Sequence, residues 1–223
     1  PFVTWFQGVI VQHKWPLDPE KLPIGVTEFI RSHGLQGRLM AAPNSGGYLA
    51  WRLYPEVLIT TDMQTPPSTP WTHFRISNAL GNPHALRRFL DEFDPQLIGV
   101  LYNRTGIEEL LQKAPAYRPV FFDDLLVLYA SNRHLPELVA EHELHHVNPH
   151  NLLDDGRGTL EQRLRETQGI LDEFPNSRRA LHSITRLLID QGEYERALAF
   201  AERYRKTHPE DPNSHFLAGN AHE

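Results

Sequence analysis

The chain has 223 residues, of which 40% are hydrophobic and 10% aromatic, enough for a packed core and too much for a disordered segment. Its formal net charge of -6 leaves no electrostatic footprint for nucleic acid. Cysteine is absent, which removes disulfides, thiolate metal sites and a cysteine nucleophile. No apolar run approaches the ~20 residues of a membrane helix. The chain opens at Pro1 without a recognisable signal peptide, as a fragment or a mature chain would.

Composition shifts near residue 135. Up to Arg133 there are 12 Lys+Arg and 12 Asp+Glu; from Leu135 onward there are 10 and 16, so the whole negative balance lies there. Prolines divide 13 and 5 across the same point. The division predicts an α/β domain over 1–135, with 1–24 as lead-in and linker, and a helical region over 136–223.

In chain order, Val3 to Val11 is a candidate strand, and Pro16, Pro19 and Pro23 mark an extended linker. Val26, Phe29 and Ile30 recur at helical spacing, and Gly34 suits the helix end. Gly37 to Ala42 reads as a strand that stops at Pro43-Asn44. Tyr48 to Leu53 reads as a short helix, and Val57 to Thr61 as a strand stopped by Asp62. Residues 64–70 hold three prolines and read as loop. Ala85 to Phe93 is amphipathic through Leu86, Phe89 and Leu90. Leu97 to Tyr102 is a buried-type strand, and Ile107 to Ala114 a short helix. Val120 to Phe122 and Leu125 to Tyr129 flank Asp123-Asp124 as a hairpin. Adjacent strand residues face opposite ways, so the two acids make a poor catalytic pair. Alternating strands and helices predict a small, mainly parallel sheet with an antiparallel edge.

The second part carries a period. Pro175 and Pro209 stand 34 residues apart, the tetratricopeptide spacing. With Pro209 at repeat position 32, Gly192 falls at 15, Ala197 at 20 and Tyr204 at 27. Thr159 to Phe174 fits the second helix of a preceding repeat, and Pro212 opens a further one that stops at Glu223. The expectation is an all-α, tetratricopeptide-like region, truncated at its C-terminus, whose concave surface receives a protein partner.

Two segments carry candidate chemistry. His142-Glu143-Leu144-His145-His146 has the form H-E-x-x-H. On a helix, His142 and His146 would share a face and could bind zinc, with Glu143 as general base. Pro149 and the surrounding histidines favour a merely His-rich segment. Asn44-Ser45-Gly46-Gly47-Tyr48-Leu49-Ala50-Trp51-Arg52-Leu53 joins a strand to a helix, where open α/β sheets bind ligands. Its glycines fit neither a phosphate loop nor a dinucleotide fingerprint. The candidate binding residues are Asn44, Gly46, Gly47, Tyr48, Trp51, Arg52 and the neighbouring strand-terminal Asp62. The bland alternative is a tight turn whose Tyr48 and Trp51 fill the core. No cofactor is implied.

The strings Val26 to Arg31, Gly34 to Arg38, Asn44 and Gly46-Gly47-Tyr48-Leu49-Ala50-Trp51-Arg52-Leu53 resemble a recurrent domain. So do Leu90 to Phe93 and Val120 to Tyr129. The domain is the extracytoplasmic C-terminal part of bacterial multi-spanning membrane proteins of the glycosyltransferase C superfamily type. These are similar to polyprenyl-phosphate-sugar-dependent transferases. The likeness covers roughly residues 16–131. Ser45 stands where such domains carry an aromatic, and Asp62-Met63-Gln64 where they carry Asp-Gly-Arg. The resemblance implies a non-catalytic soluble region on the periplasmic face of a bacterial membrane, with catalysis in the membrane-embedded remainder of the same polypeptide. It further implies a glycan or lipid-linked acceptor as ligand. Two other functions compete: a free-standing tetratricopeptide interaction scaffold, and a zinc-dependent hydrolase using His142, Glu143 and His146.

Overall fold

The structure is a computed structural model that describes residues 21–60, 75, 78–79, 82–103, 106, 111, 116–154 and 157–222. The expected strand at Val3 to Val11, most of the 107–114 helix, the 64–70 loop and Asp62 lie outside the described residues. The order is α1 (Ile24–Ser32), β1 (Gly37–Ala41), α2 (Pro43–Leu53), β2 (Val57–Ile59), α3 (Pro83–Phe93), β3 (Leu97–Leu101), β4 (Tyr117–Phe122) and β5 (Leu126–Ser131). Then follow α4 (Pro136–His142), α5 (Leu160–Glu173), α6 (Arg178–Asp190), α7 (Tyr194–Thr207) and α8 (Pro212–His222). None of the described helices is long and apolar enough to cross a membrane.

The sheet is mixed, in the order β2-β1-β3-β5-β4. Strands β1, β2 and β3 are mutually parallel, while β5 runs antiparallel to both β3 and β4. The continuous apolar runs of β3 and β5 follow from burial on both faces. Pro119 sits in β4, an edge strand, where its missing N–H breaks no central ladder. Its carbonyl accepts from Leu144 N–H at 2.9 Å, so the segment after α4 covers that edge.

Several helices start where side chains take their orphan N–H groups, while α2, α4 and α7 have no side-chain cap. Asn82 caps α3 through His84 and Ala85. Thr159 and Gln162 form a reciprocal capping box on α5. Gly192, at φ 76°, closes α6 in a backbone conformation that a Cβ disfavours. Ala197 and Ala201 are fully buried where α7 packs on α6. The short connections after α5, α6 and α7 return the chain against its own last helix.

The compositional break near residue 135 is not a break in packing. One apolar cluster runs from Val26 and Phe29 through the sheet to Leu171, Leu181, Ala201 and Ala221. The join is polar at its centre. Asp123 is fully buried in the β4–β5 turn. Its carboxylate accepts from the N–H groups of Val26 at 2.9 Å, Leu125 at 2.8 Å and Leu126 at 2.7 Å. Asp124 points the other way. Its carboxylate accepts from Ser177 Oγ at 3.1 Å, Arg178 N–H at 3.1 Å and Arg179 N–H at 2.9 Å. Ser177 takes the next donor, Ala180 N–H. Neighbouring acids of one turn therefore cap α1 and α6, one from each half of the chain. Gly25 makes the approach possible: a Cβ there would lie 2.8 Å from both Asp123 Cβ and a ring carbon of Phe174.

Two outcomes test this join. Asp124→Ala leaves two backbone donors and a hydroxyl unpaired, and should cost about 2–3 kcal/mol in urea unfolding. Burial pushes the Asp123 carboxyl up to about 6, outweighing the three N–H groups that pull it down. The unfolded chain releases that proton near pH 4, at about 3.9. The folded state thus holds the proton more tightly. The associated stability is complete below about pH 4 and is lost as pH rises through about 6. A midpoint series across that window should fall with pH in the parent protein and lose this slope in Asp123→Asn.

Candidate functional site

The segment expected to be a loop is helical from its first residues. β1 ends at Ala41, Ala42 is extended, and Pro43 occupies the first turn of α2. Proline supplies a helical φ and lacks an N–H that would be unpaired there anyway. Asn44, Ser45, Gly46 and Gly47 therefore form the opening turns of α2, correcting the strand–helix turn read from the sequence. Asn44 is exposed, while Ser45 and Gly46 are buried. The start of α2 lies at the C-terminal end of β1, between β2 on one side and β3 on the other, where the strand order reverses.

The other candidates lie at the far end. Trp51 is 68% exposed and does not fill the core, another correction, and Tyr48 is half-buried. Their rings meet edge-on at 5.9 Å. Burial raises the Tyr48 phenol above its ordinary value, with Arg52 opposing. Arg52 pairs with Glu28 at 2.7 Å and lies 5.7 Å from the centre of the Trp51 ring. Trp51 stands seven positions after Asn44 on the helix, about 10 Å along the axis. The predicted group thus divides between two places. Asp62 lies outside the described residues.

The His-rich segment is not the helix that H-E-x-x-H requires. α4 stops at His142, and Glu143 is extended at φ -58°, ψ 127°. His142 and His146 therefore do not share a helical face. The cause is competition for backbone donors rather than Pro149. Glu166 of α5 accepts the N–H groups of His145, His146 and Val147 at 2.9–3.0 Å, while Leu144 N–H goes to β4. Glu143 pairs instead with Arg118 at 3.2 Å. His146 Nδ1 lies 3.0 Å from the Arg157 carbonyl, which only accepts, so Nδ1 carries the proton. His142 packs edge-on against Phe29 and His33. Burial, then the neighbouring His33, holds its imidazole below the ordinary range. Among the described residues no group of three His, Asp or Glu side chains is placed to hold a metal ion.

A cleft of about 280 Å³ opens at the join of the two halves, which the sequence reading did not single out. Tyr102 and His150 line its sheet side; Arg178, Arg179 and His182 come from α6, Tyr204 from α7 and Asp211 from the turn before α8. Arg179 is its structural anchor. The guanidinium donates to the Asp123 carbonyl at 2.9 Å and the Pro149 carbonyl at 2.6 Å. It lies 4.0 Å from the centre of the Tyr102 ring and 5.1 Å from that of Phe122. Burial lowers its pKa to about 10, so it remains a cation at neutral pH.

His150 bridges the same wall. Its Nδ1 donates to the Tyr102 carbonyl at 2.8 Å, and its Nε2 then accepts from Tyr129 Oη at 2.8 Å. Burial favours this neutral ring. Across the cleft, Tyr204 Oη donates to Asp211 at 2.5 Å, and Arg178 lies 3.8 Å from the same carboxylate. Burial raises the Asp211 carboxyl, but the Tyr204 hydroxyl, Asn213 and Arg178 outweigh it and hold it below the usual range. Ser183, the hydroxyl of this wall, donates to the Leu152 carbonyl rather than to a base. The arrangement offers cations, amides and phenols in fixed positions, which suits recognition of a polar ligand.

No family model, curated protein or solved structure matches this chain.

Of the cleft's residues the sequence reading singled out Tyr204 alone, as a repeat position, and it passed over the arginine pair Arg178-Arg179 that opens α6. Arg179→Lys keeps the charge but cannot span two carbonyls and cover a ring at once. It should cost roughly 2–3 kcal/mol in urea unfolding and quench less of the Tyr102 contact, seen as altered near-ultraviolet circular dichroism.

Proposed function

We propose that this chain is a non-catalytic soluble region of a larger membrane-bound, glycosyltransferase-like protein, and that its helical half is a tetratricopeptide-like segment that docks a protein partner. The observation that carries the reading is the cleft at the join. Its polar groups are already engaged in a fixed network, and its walls come from both halves of the chain. That is a recognition surface in form, and the serine that lines it, Ser183, is bonded to a carbonyl rather than to a base.

The helical half supports the tetratricopeptide reading in register. Gly192 terminates α6, Ala197 lets α7 approach it, and Tyr204 is buried against α6 and the cleft. The α/β half supports the accessory-region reading through the Gly46 to Leu53 string, on a helix that starts at the strand-order reversal. In this reading the membrane-embedded remainder carries the catalytic acids and the lipid-linked sugar, on the periplasmic side. A zinc hydrolase draws no support from α4, which ends before the motif is complete.

The test is native size and fractionation, with an antibody against this region on source cells. A band far above 25.7 kDa that stays in washed membranes is expected. A soluble band near 25.7 kDa would overturn the membrane-bound parent and favour the free-standing scaffold.

A further inference from the structure

A second cleft, of about 420 Å³, lies where the C-terminal ends of α1 and α2 meet the start of β2. Its floor is apolar: Ile30, Leu35, Leu53 and Val57 are all buried. Its rim is different in kind. Gln36, Arg52 and Glu56 bring planar hydrogen-bonding groups, and Tyr54 brings an aromatic ring that is 73% exposed. Three residues before it, the 68% exposed Trp51 meets the Arg52 guanidinium, so the aromatic surface continues from the cleft onto the helix. Two large aromatics left in water, three positions apart on one helix end, are an unusual surface for a protein to keep without a contact that uses them.

The charges of this cleft cancel. Arg52 and Arg31 both face Glu28, at 2.7 and 4.0 Å, and Glu56 adds a second carboxylate to the two cations. A phosphate, a nucleic acid or an anionic bilayer would find no net attraction. The cleft therefore suits a neutral ligand with one apolar face and a rim of donors and acceptors. A pyranose ring has that form. One face is a patch of C–H groups that can lie on a phenol or indole, and its edge is a ring of hydroxyls matched by carboxylate, amide and guanidinium groups. Tyr54 is the residue that ends α2, three positions after Trp51, which puts the two side chains roughly one sugar unit apart, about 5–6 Å at Cβ. Tyr54 and Trp51 could thus each take one ring of a disaccharide.

We infer that the cleft between α1, α2 and β2 is a binding site for neutral carbohydrate, with Tyr54 at its rim as one stacking platform, Trp51 beside it on the surface of α2 as a second, and Gln36, Arg52 and Glu56 as hydroxyl partners. It deepens the proposed function by giving the glycan acceptor a place, but its geometry does not depend on a membrane-bound parent. Fractionation can therefore fail while sugar binding holds, and the reverse.

The test uses the whole chain and three neutral disaccharides, chitobiose, mannobiose and cellobiose, in saturation-transfer NMR. Transfer to the ring C–H protons of at least one sugar is expected, at roughly millimolar affinity and insensitive to salt. Tyr54→Ala and Trp51→Ala should each weaken it by a factor of about 10 or more, with unchanged far-ultraviolet circular dichroism. Glu56→Gln should weaken it less. Leu58→Ala, at an exposed residue of β2 outside the cleft, should leave it unchanged. No transfer from any of the three sugars to folded protein would overturn the assignment, as would transfer that survives both aromatic substitutions. A Trp51-dependent fluorescence shift on phosphatidylcholine or phosphatidylglycerol vesicles, without sugar transfer, would make the aromatics a membrane contact and overturn it too.

Discussion

The structure depends on what the β4–β5 turn does with two adjacent carboxylates. A β-turn favours a residue that can bond its own backbone, and Asp123 does so through Leu125 and Leu126. The same carboxylate also reaches Val26 in the first turn of α1. Asp124, the next residue of the same turn, points the other way and reaches the first turn of α6. Each acid meets the end of a helix where backbone N–H groups are unpaired and the dipole favours negative charge. One turn thus fixes the position of a helix from each half. Desolvating two carboxylates is costly, and only the six donors gathered around them make it tolerable.

Once α1 and α6 are placed, the rest of the join follows. Gly25 gives Asp123 and Phe174 room to close on α1. α6 carries Arg179 over Tyr102 at the end of β3, and its guanidinium ties the turn to the segment around Pro149. Glu166 on α5 gathers the backbone after α4, which ends that helix and leaves the histidines in an irregular stretch. The motif that looked catalytic in one dimension is thereby dismantled by a carboxylate 20 positions away. Polar contacts of this sort join the two halves together with the one apolar cluster that runs through both.

Local signals carried well where structure is locally decided. The amphipathic periods gave α1 and α3, Gly192 gave the end of α6, and the apolar runs gave β3, β4 and β5. The α2 boundary failed for a physical reason: the glycines read as a loop, whereas Pro43 and the end of β1 start a helix there despite their poor propensity. Asp123 and Asp124 were legible as a turn but not as caps. Their partners lie 97 and 54 positions away, and no spacing rule reaches so far. The cleft at the join was illegible for the same reason, since its walls come from the turn after β3, the 150–153 segment, α6, α7 and the start of α8.

Placement of polar groups also separates the two clefts. At the join, most charged and phenolic groups already hold one another, so a ligand there must fit a preformed network and gains from its rigidity. At the ends of α1 and α2 the balance is reversed. The ion pairs with Glu28 sit at the side, while Tyr54 and Trp51 face water. Exposure of that apolar area persists because α2 is oriented by its other face: Leu49 and Leu53 are buried, and a helix cannot bury both sides on a single-layer contact. What the core requires of α2 therefore determines which aromatics remain outside. Binding surface and packing surface are two consequences of one helical periodicity.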